Sequence, residues 1–209
     1  MPLTQRCLMI TTTMLLSCKL ACAMPSTAGT PPEEVAACFS TAADRHNIPV
    51  ELLVSIAEVE SGLKPLAINR AGTAILPRTK EQAEQAVGLF GSQSATFDVG
   101  IMQVNRWWFE KYGEPYNKGL DPCFCIDFGA RILAMAIKDH GLTWQAVGRY
   151  HSPTSWRQDA YARKIFSRLS RILEKRRSTP IEKIIEAKTG DLAFNQRQDS
   201  RQQPLSSSP

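Results

Sequence analysis

Several familiar signatures are missing from this 209-residue chain. Its apolar stretch from Cys7 to Cys18 is too short to serve as a lasting membrane anchor, because a spanning helix takes about 20 residues. Histidine occurs three times, at His46, His140 and His151, and no HExxH pair is present. The tight Cys123-Phe124-Cys125 has no second ligand pair at zinc spacing. No metal and no cofactor is therefore expected. No internal repeat stands out. One-sided charge is also lacking. The formal net charge is +5, far too weak to argue for nucleic acid.

What is present begins with an export signal. Residues 1–23 have the pattern of a secretory signal peptide. Arg6 gives the positive start; Leu8, Met9, Ile10, Met14, Leu15 and Leu16 give the apolar centre; Ala21-Cys22-Ala23 is the small-residue cleavage pattern. The chain is thus expected to be exported, to a periplasmic location. A lipid anchor through Cys18 is the alternative, with Leu15-Leu16-Ser17-Cys18 as its box, although Leu16 is a poor fit beside that cysteine. Cleavage removes Arg6 and Lys19, lowering the charge from +5 to +3. A mildly basic remainder is compatible with an anionic cell-wall polymer. Export also bears on Cys38, Cys123 and Cys125, since an oxidising compartment favours a disulfide. Cys123 and Cys125 are too close for an easy bridge, so Cys38 is expected to pair with one of them.

Residues 24–32 form a Pro/Ser/Thr linker. Residues 33–177 are long enough for one compact domain with a real core. Residues 178–209 form a polar tail, expected to be largely disordered, with one helical patch at Ile181–Ala187. Within the domain nearly every segment reads as helix, so the class is mainly α. Helices are expected from Glu33 to Arg45, after Pro49, from Thr79 to Gly91, after Asn105, from Ile126 to His140, after Thr143, and from Ser155 to Arg177. Thr79-Lys80-Glu81-Gln82 and Ser155-Trp156-Arg157-Gln158 have the form of capping boxes. The segments Leu66-Ala67-Ile68 and Thr73-Ala74-Ile75-Leu76, around a turn signal at Asn69–Gly72, suggest a small hairpin. Ser92–Asp98 reads as a polar connection. The basic end of the last helix suits the helix dipole as a solvated face; binding to an anionic wall or membrane is the sharper reading.

One residue breaks the pattern of its helix. On a wheel of about 100° per residue with Leu52 at the origin, Ile56 lies near 40° and Leu53 near 100°, with Glu60 between them near 80°. Glu58 and Glu51 lie on the opposite side, near 240° and 260°. Apolar surroundings favour the neutral form of a carboxylic acid, and a protonated acid near neutral pH is what glycosidic bond cleavage requires. A helix-end glutamate at a solvated rim is the plainer alternative. No second acid shares its helix face, where ordinary glycosidases place two carboxylates across the bond. Asp98 is the candidate for that second carboxylate, with loop anchoring as its expected role. Trp107 and Trp108 are adjacent and cannot both face the core squarely; core packing is the default for both, with a sugar groove lined by one of them as the sharper reading.

Three segments follow in order: Glu60-Ser61-Gly62, Gly100-Ile101-Met102-Gln103-Val104-Asn105 and Val147-Gly148-Arg149-Tyr150-His151-Ser152. At these intervals they resemble the soluble lytic transglycosylase domain family, which has a lysozyme-like fold. The resemblance covers about residues 36–170. Cys38-Phe39, Asp98-Val99-Gly100 and Asp121-Pro122-Cys123 make the chain similar to the small exported transglycosylases of conjugation, secretion and pilus machines. The resemblance implies cleavage of the MurNAc–GlcNAc β-1,4 bond of peptidoglycan with formation of a 1,6-anhydroMurNAc end. Glu60 matches the single catalytic acid, and the sugar's N-acetyl group replaces the second carboxylate. Ser61, Met102, Gln103 and Tyr150 match substrate-binding positions; the Tyr150 hydroxyl is expected on Glu60. His151 departs from the usual asparagine. Family position also favours Cys123 as the partner of Cys38. Beyond peptidoglycan, the implied partners are components of a conjugation, secretion or pilus machine, and the enzyme is expected to act as a monomer. A muramidase of the same fold and a non-catalytic wall-binding module are the competing readings.

Overall fold

A computed structural model describes residues 32–93 and 95–178. The expected signal peptide, the Cys18 anchor, nearly all of the 24–32 linker and the polar tail lie outside the described residues. Seven α-helices and a small sheet make up the fold. Helix α1 is Pro32–His46 and α2 is Val50–Ser61. Strands β1 (Ile68–Arg70) and β2 (Thr73–Ile75) follow, then α3 (Lys80–Ser92), β3 (Phe97–Val99) and β4 (Val104–Asn105). Helix α4 is Arg106–Tyr112; a 3-10 turn, Tyr116–Leu120, leads into α5 (Pro122–His140). Helices α6 (Trp144–His151) and α7 (Ser155–Ser178) complete the order.

Local chemistry sets most helix starts. Thr79, Asn105, Asp121 and Thr143 each accept a first-turn backbone N–H through the side chain, the interaction that satisfies otherwise orphaned donors. Asp121 with Pro122 behind it starts α5 four residues before the expected Ile126. Pro122 fits there because the first helical position needs no N–H. At α7 the expected box does not form. The N–H groups of Arg157 and Gln158 bond to the Thr154 carbonyl, so Thr154 holds the cap position. The Gln158 amide instead reaches back to the Ser152 carbonyl at 3.1 Å.

The sheet is larger than the expected hairpin. Its order is β2-β1-β3-β4, all antiparallel, with Ile68 opposite both Ile75 and Val99, and Asp98 opposite Asn105. The end of the polar connection thus supplies a central strand whose Phe97 and Val99 are buried while Asp98 between them faces the other way. That alternation is the period-2 signature of a strand.

Helix α5 runs through the core, with Ile126, Ala130 and Leu133 fully buried. It packs on α1 and α6, and α7 closes the far side against α6 and α2. A disulfide joins Cys38 in α1 to Cys123 at the start of α5, with Cα atoms 5.0 Å apart and a sequence separation of 85. The third cysteine, Cys125, is free and fully buried, and burial pushes its thiol up to about 12. A thiol so far from ionising is a poor nucleophile.

Candidate active site

The catalytic candidate lies in the last turn of α2. Leu52, Leu53, Ile56 and Ala57 are all buried, which fixes the rotation of the helix and aims Glu60 inward. Its side chain is only 14% exposed. It opens onto a groove of about 740 Å³, also lined by Asp98, Gln103, Trp107, Trp108, Tyr150 and His151. Helices α2, α4, α5 and α6, the sheet and the loop before β4 therefore meet around one carboxylate, which points inward as the wheel predicts.

The Gly100–Gln103 loop forms one wall. Gly100 has φ +79°, and any side chain there would collide with the Gly119 carbonyl and the Cys125 thiol. Its N–H donates to the Ala67 carbonyl at 2.7 Å. Gln103 also holds a positive φ of 45°. Its Nε2 donates to the carbonyls of Gly100 at 2.8 Å and Ala67 at 3.0 Å. Both amide protons thus brace the loop, and Oε1 is the atom left for a ligand.

Two residues expected to touch sugar are turned elsewhere. The Ser61 hydroxyl donates to the Ile101 carbonyl at 2.7 Å and accepts from the Lys64 N–H at 3.1 Å. It staples the end of α2 to the loop. Met102 is fully buried, its side chain packed against Gly129. Tyr150 does line the groove, but its hydroxyl donates to the Met102 carbonyl at 2.8 Å and not to Glu60. Loop geometry explains the difference: the tight turn brings that carbonyl within reach. Burial first, then the charge of Glu60, keeps this phenol well above its ordinary value.

The groups facing Glu60 come from three other elements. His151 Nδ1 is 3.8 Å from Glu60 Oε1. The imidazole lies flat on the Tyr161 ring of α7, with centroids 4.4 Å apart and planes 1° apart. Tyr161 is 4% exposed; its hydroxyl has no partner at full hydrogen-bond geometry, although Glu60 lies close enough to contribute a weaker one. Burial first, then the Glu60 charge, holds it well above the ordinary phenol value. A buried donor without a full hydrogen bond is costly, and this one is within electrostatic reach of the candidate acid. Sequence reasoning missed it, because Tyr161 sits in the apolar stripe of α7 with Ile165. The one signal was a hydroxyl-bearing ring where a plain apolar residue would pack.

Asp98 has its Oδ1 2.8 Å from the Asn105 amide, a cross-strand hydrogen bond within the sheet. Burial raises its carboxyl above the ordinary value, the Asn105 bond opposes that, Glu60 raises it further and His151 lowers it. Its contacts are those of a loop anchor that also borders the groove. Trp107 and Trp108 both line the groove. Trp107 is half exposed, and Trp108 stacks on Tyr112 with planes 7° apart. Among the described residues, no cluster of histidine, cysteine or acidic side chains has the arrangement of a metal site.

A buried-edge carboxylate in a long groove, on a mainly helical fold with a small sheet, defines the class: a lysozyme-like glycan-cleaving enzyme. The sequence model described as the transglycosylase SLT domain matches residues 37–165, and the chain belongs to this family of lytic transglycosylases. It is 32% identical over 145 residues to invasion protein IagB of Salmonella typhi, covering 66% of this chain and 78% of that one. Similarity to protein IpgF of Shigella flexneri is also 32%, over 143 residues, covering 65% and 80%. A shorter match, 33% over 85 residues, links it to the type IV secretion system protein virB1 of Brucella abortus, covering 40% of this chain and 36% of that protein.

Proposed function

We propose that Glu60 is the single acid–base of a peptidoglycan lytic transglycosylase. The observation that carries this is its position: a largely buried carboxylate opening on the groove, whose only ion-pair partner among the described residues is His151 at 3.8 Å. As acid, Glu60 gives its proton to the bridging oxygen as the C1–O4 bond of MurNAc–GlcNAc breaks. The neighbouring N-acetyl oxygen of MurNAc shields C1. Glu60, now a carboxylate, takes the proton of the C6 hydroxyl as that oxygen closes on C1. The product is a 1,6-anhydroMurNAc end, Glu60 regains its proton, and no water is consumed. General acid catalysis of this kind is worth roughly 10²–10⁴-fold. The Tyr161 hydroxyl interacts with Glu60 and supports the carboxylate form by donating to it, and His151 Nδ1 lies 3.8 Å from the same carboxylate. Gln103 Oε1 supplies an acceptor for an amide or hydroxyl of the sugar.

The Cys38–Cys123 bridge supports export to an oxidising compartment. Among the described residues, no helix is long and apolar enough to cross a membrane. The relatives' names, an invasion protein and a type IV secretion system protein, support a role in opening the wall locally for an envelope-spanning apparatus.

Digestion of purified sacculi, followed by mass spectrometry, tests the reading. Wild-type enzyme should release fragments one water lighter than a muramidase would. Glu60→Gln should lower release by at least 100-fold while sacculus binding persists. Hydrated, reducing ends would replace this reading with muramidase action, with Asp98 as the second carboxylate. Full turnover by the Gln variant would mean that another residue is the acid.

A further inference from the structure

Helix α7 carries charge out of proportion to its length. Its 24 residues include eight Lys or Arg and two Asp or Glu. That is a net +6, against +5 for all 209 residues. The rest of the chain is therefore close to neutral, and the net positive charge belongs to this one helix.

Part of this charge is structural. Arg168 Nε is 3.3 Å from Glu58 Oε2, and Arg176 pairs with Glu51, which ties α7 to α2. Arg163, Lys164 and Arg171 have no acidic partner among the described residues. With Ser167 and Arg168 they border a shallow basin of about 500 Å³ beside Glu58. The Arg171 guanidinium is held by the Ser167 carbonyl and hydroxyl at 3.3 and 3.2 Å. Three cations thus border one basin whose lining acid, Glu58, is already paired with Arg168.

Apolar side chains occupy the other flank of the helix, towards α6, while the basin lies towards α2. Trp156, Phe166 and Leu173 on α7, and Leu142 and Trp144 just before and within α6, are exposed. They are five of the nine large apolar side chains exposed among the described residues, so the exposure is concentrated here. Trp144 and Phe166 meet edge to face at 5.4 Å. A hydrated glycan polymer offers cations an acidic partner and single rings a sugar face, but no apolar layer for several exposed aliphatic and aromatic side chains together. A phospholipid surface offers both phosphates and an apolar layer beneath them.

We propose that the outer face of α7 docks on an anionic phospholipid membrane. Arg163, Lys164 and Arg171 meet headgroup phosphates, and Phe166 with Trp144 enters the interface. No α7 residue lines the catalytic groove, so a docked enzyme keeps its groove open to the wall. The inference goes beyond the proposed reaction and does not depend on Glu60.

Co-sedimentation with vesicles tests it. The chain without residues 1–23, which retains the whole described fold, is mixed with vesicles of phosphatidylcholine alone or of equal parts phosphatidylcholine and phosphatidylglycerol. Binding should be strong only to the anionic vesicles and should weaken with salt. The triple variant Arg163→Gln, Lys164→Gln, Arg171→Gln should bind about 100-fold more weakly, the loss expected for three charges at about 1 kcal/mol each. Phe166→Ser should cost about tenfold. Both should melt like the parent, and Glu60→Gln should bind vesicles as the parent does. Equal binding to both vesicle types, or a triple variant that binds anionic vesicles normally, overturns the proposal. So does a triple variant that loses sacculus binding while vesicle binding stays intact.

Discussion

Glu60 and Tyr161 are legible to different degrees for a physical reason. A charge inside an apolar arc violates the helical pattern, so Glu60 announces itself in twelve residues of sequence. Tyr161 violates nothing, because a buried aromatic ring is ordinary core; only its under-bonded hydroxyl is unusual, and that needs coordinates. The same holds for Ser61 and Met102. Their motif positions are visible, but the direction of each side chain depends on how the Gly100 loop folds over the end of α2. Tyr161 yields a prediction with two readouts. Tyr161→Phe removes a buried donor whose bond to Glu60 falls short of full geometry, so thermal stability should change by no more than about 1 kcal/mol. If the hydroxyl steadies the Glu60 carboxylate, kcat should fall about tenfold with KM little changed, a loss of about 1.4 kcal/mol in the transition state. An unchanged kcat would reduce Tyr161 to packing.

At the scale of elements, the helices are written locally and the sheet is not. Side-chain caps at Thr79, Asn105 and Thr143 set helix starts that a short window of sequence reveals. Strands β3 and β4 have three and two residues, too few for alternation to stand out, and each is defined by a partner elsewhere in the chain. Gly100 links the two kinds of information. It ends β3, turns the chain at φ +79° and leaves no room for a side chain beside Gly119 and Cys125. Gly100→Ala combines left-handed strain with a backbone collision, so unfolding free energy should drop by about 3 kcal/mol or more. The variant should also lose activity in its folded fraction, because Gln103 would lose its bond to the Gly100 carbonyl. Denaturant melts with a midpoint equal to the parent's would show that the loop has slack which the structure does not.

For the whole molecule, the groove is assembled from two parts of the chain that covalent chemistry treats differently. Glu60, Asp98, Gln103, Trp107 and Trp108 all lie between Cys38 and Cys123, inside the loop the disulfide closes. Tyr150 and His151 lie beyond it, on α6, with Tyr161 of α7 behind His151. The bridge therefore restrains one wall in the unfolded chain and leaves the other to pack by burial alone. Closing a loop of this length is worth about 4.5 kcal/mol on the chain-entropy account. Cys38→Ser with Cys123→Ser, or reduction of the native protein, should accordingly lower Tm by roughly 10–15 °C. Below that temperature the turnover of the reduced enzyme should stay near the parent's, because α1 and α5 remain packed through their buried faces and the bridge itself lies outside the groove. Cys125 should contribute nothing to this shift, since its thiol is sealed in the core. Calorimetry of oxidised and reduced protein, paired with sacculus digestion at a temperature below both transitions, separates the two effects. Equal melting temperatures would show that burial alone holds the two walls together.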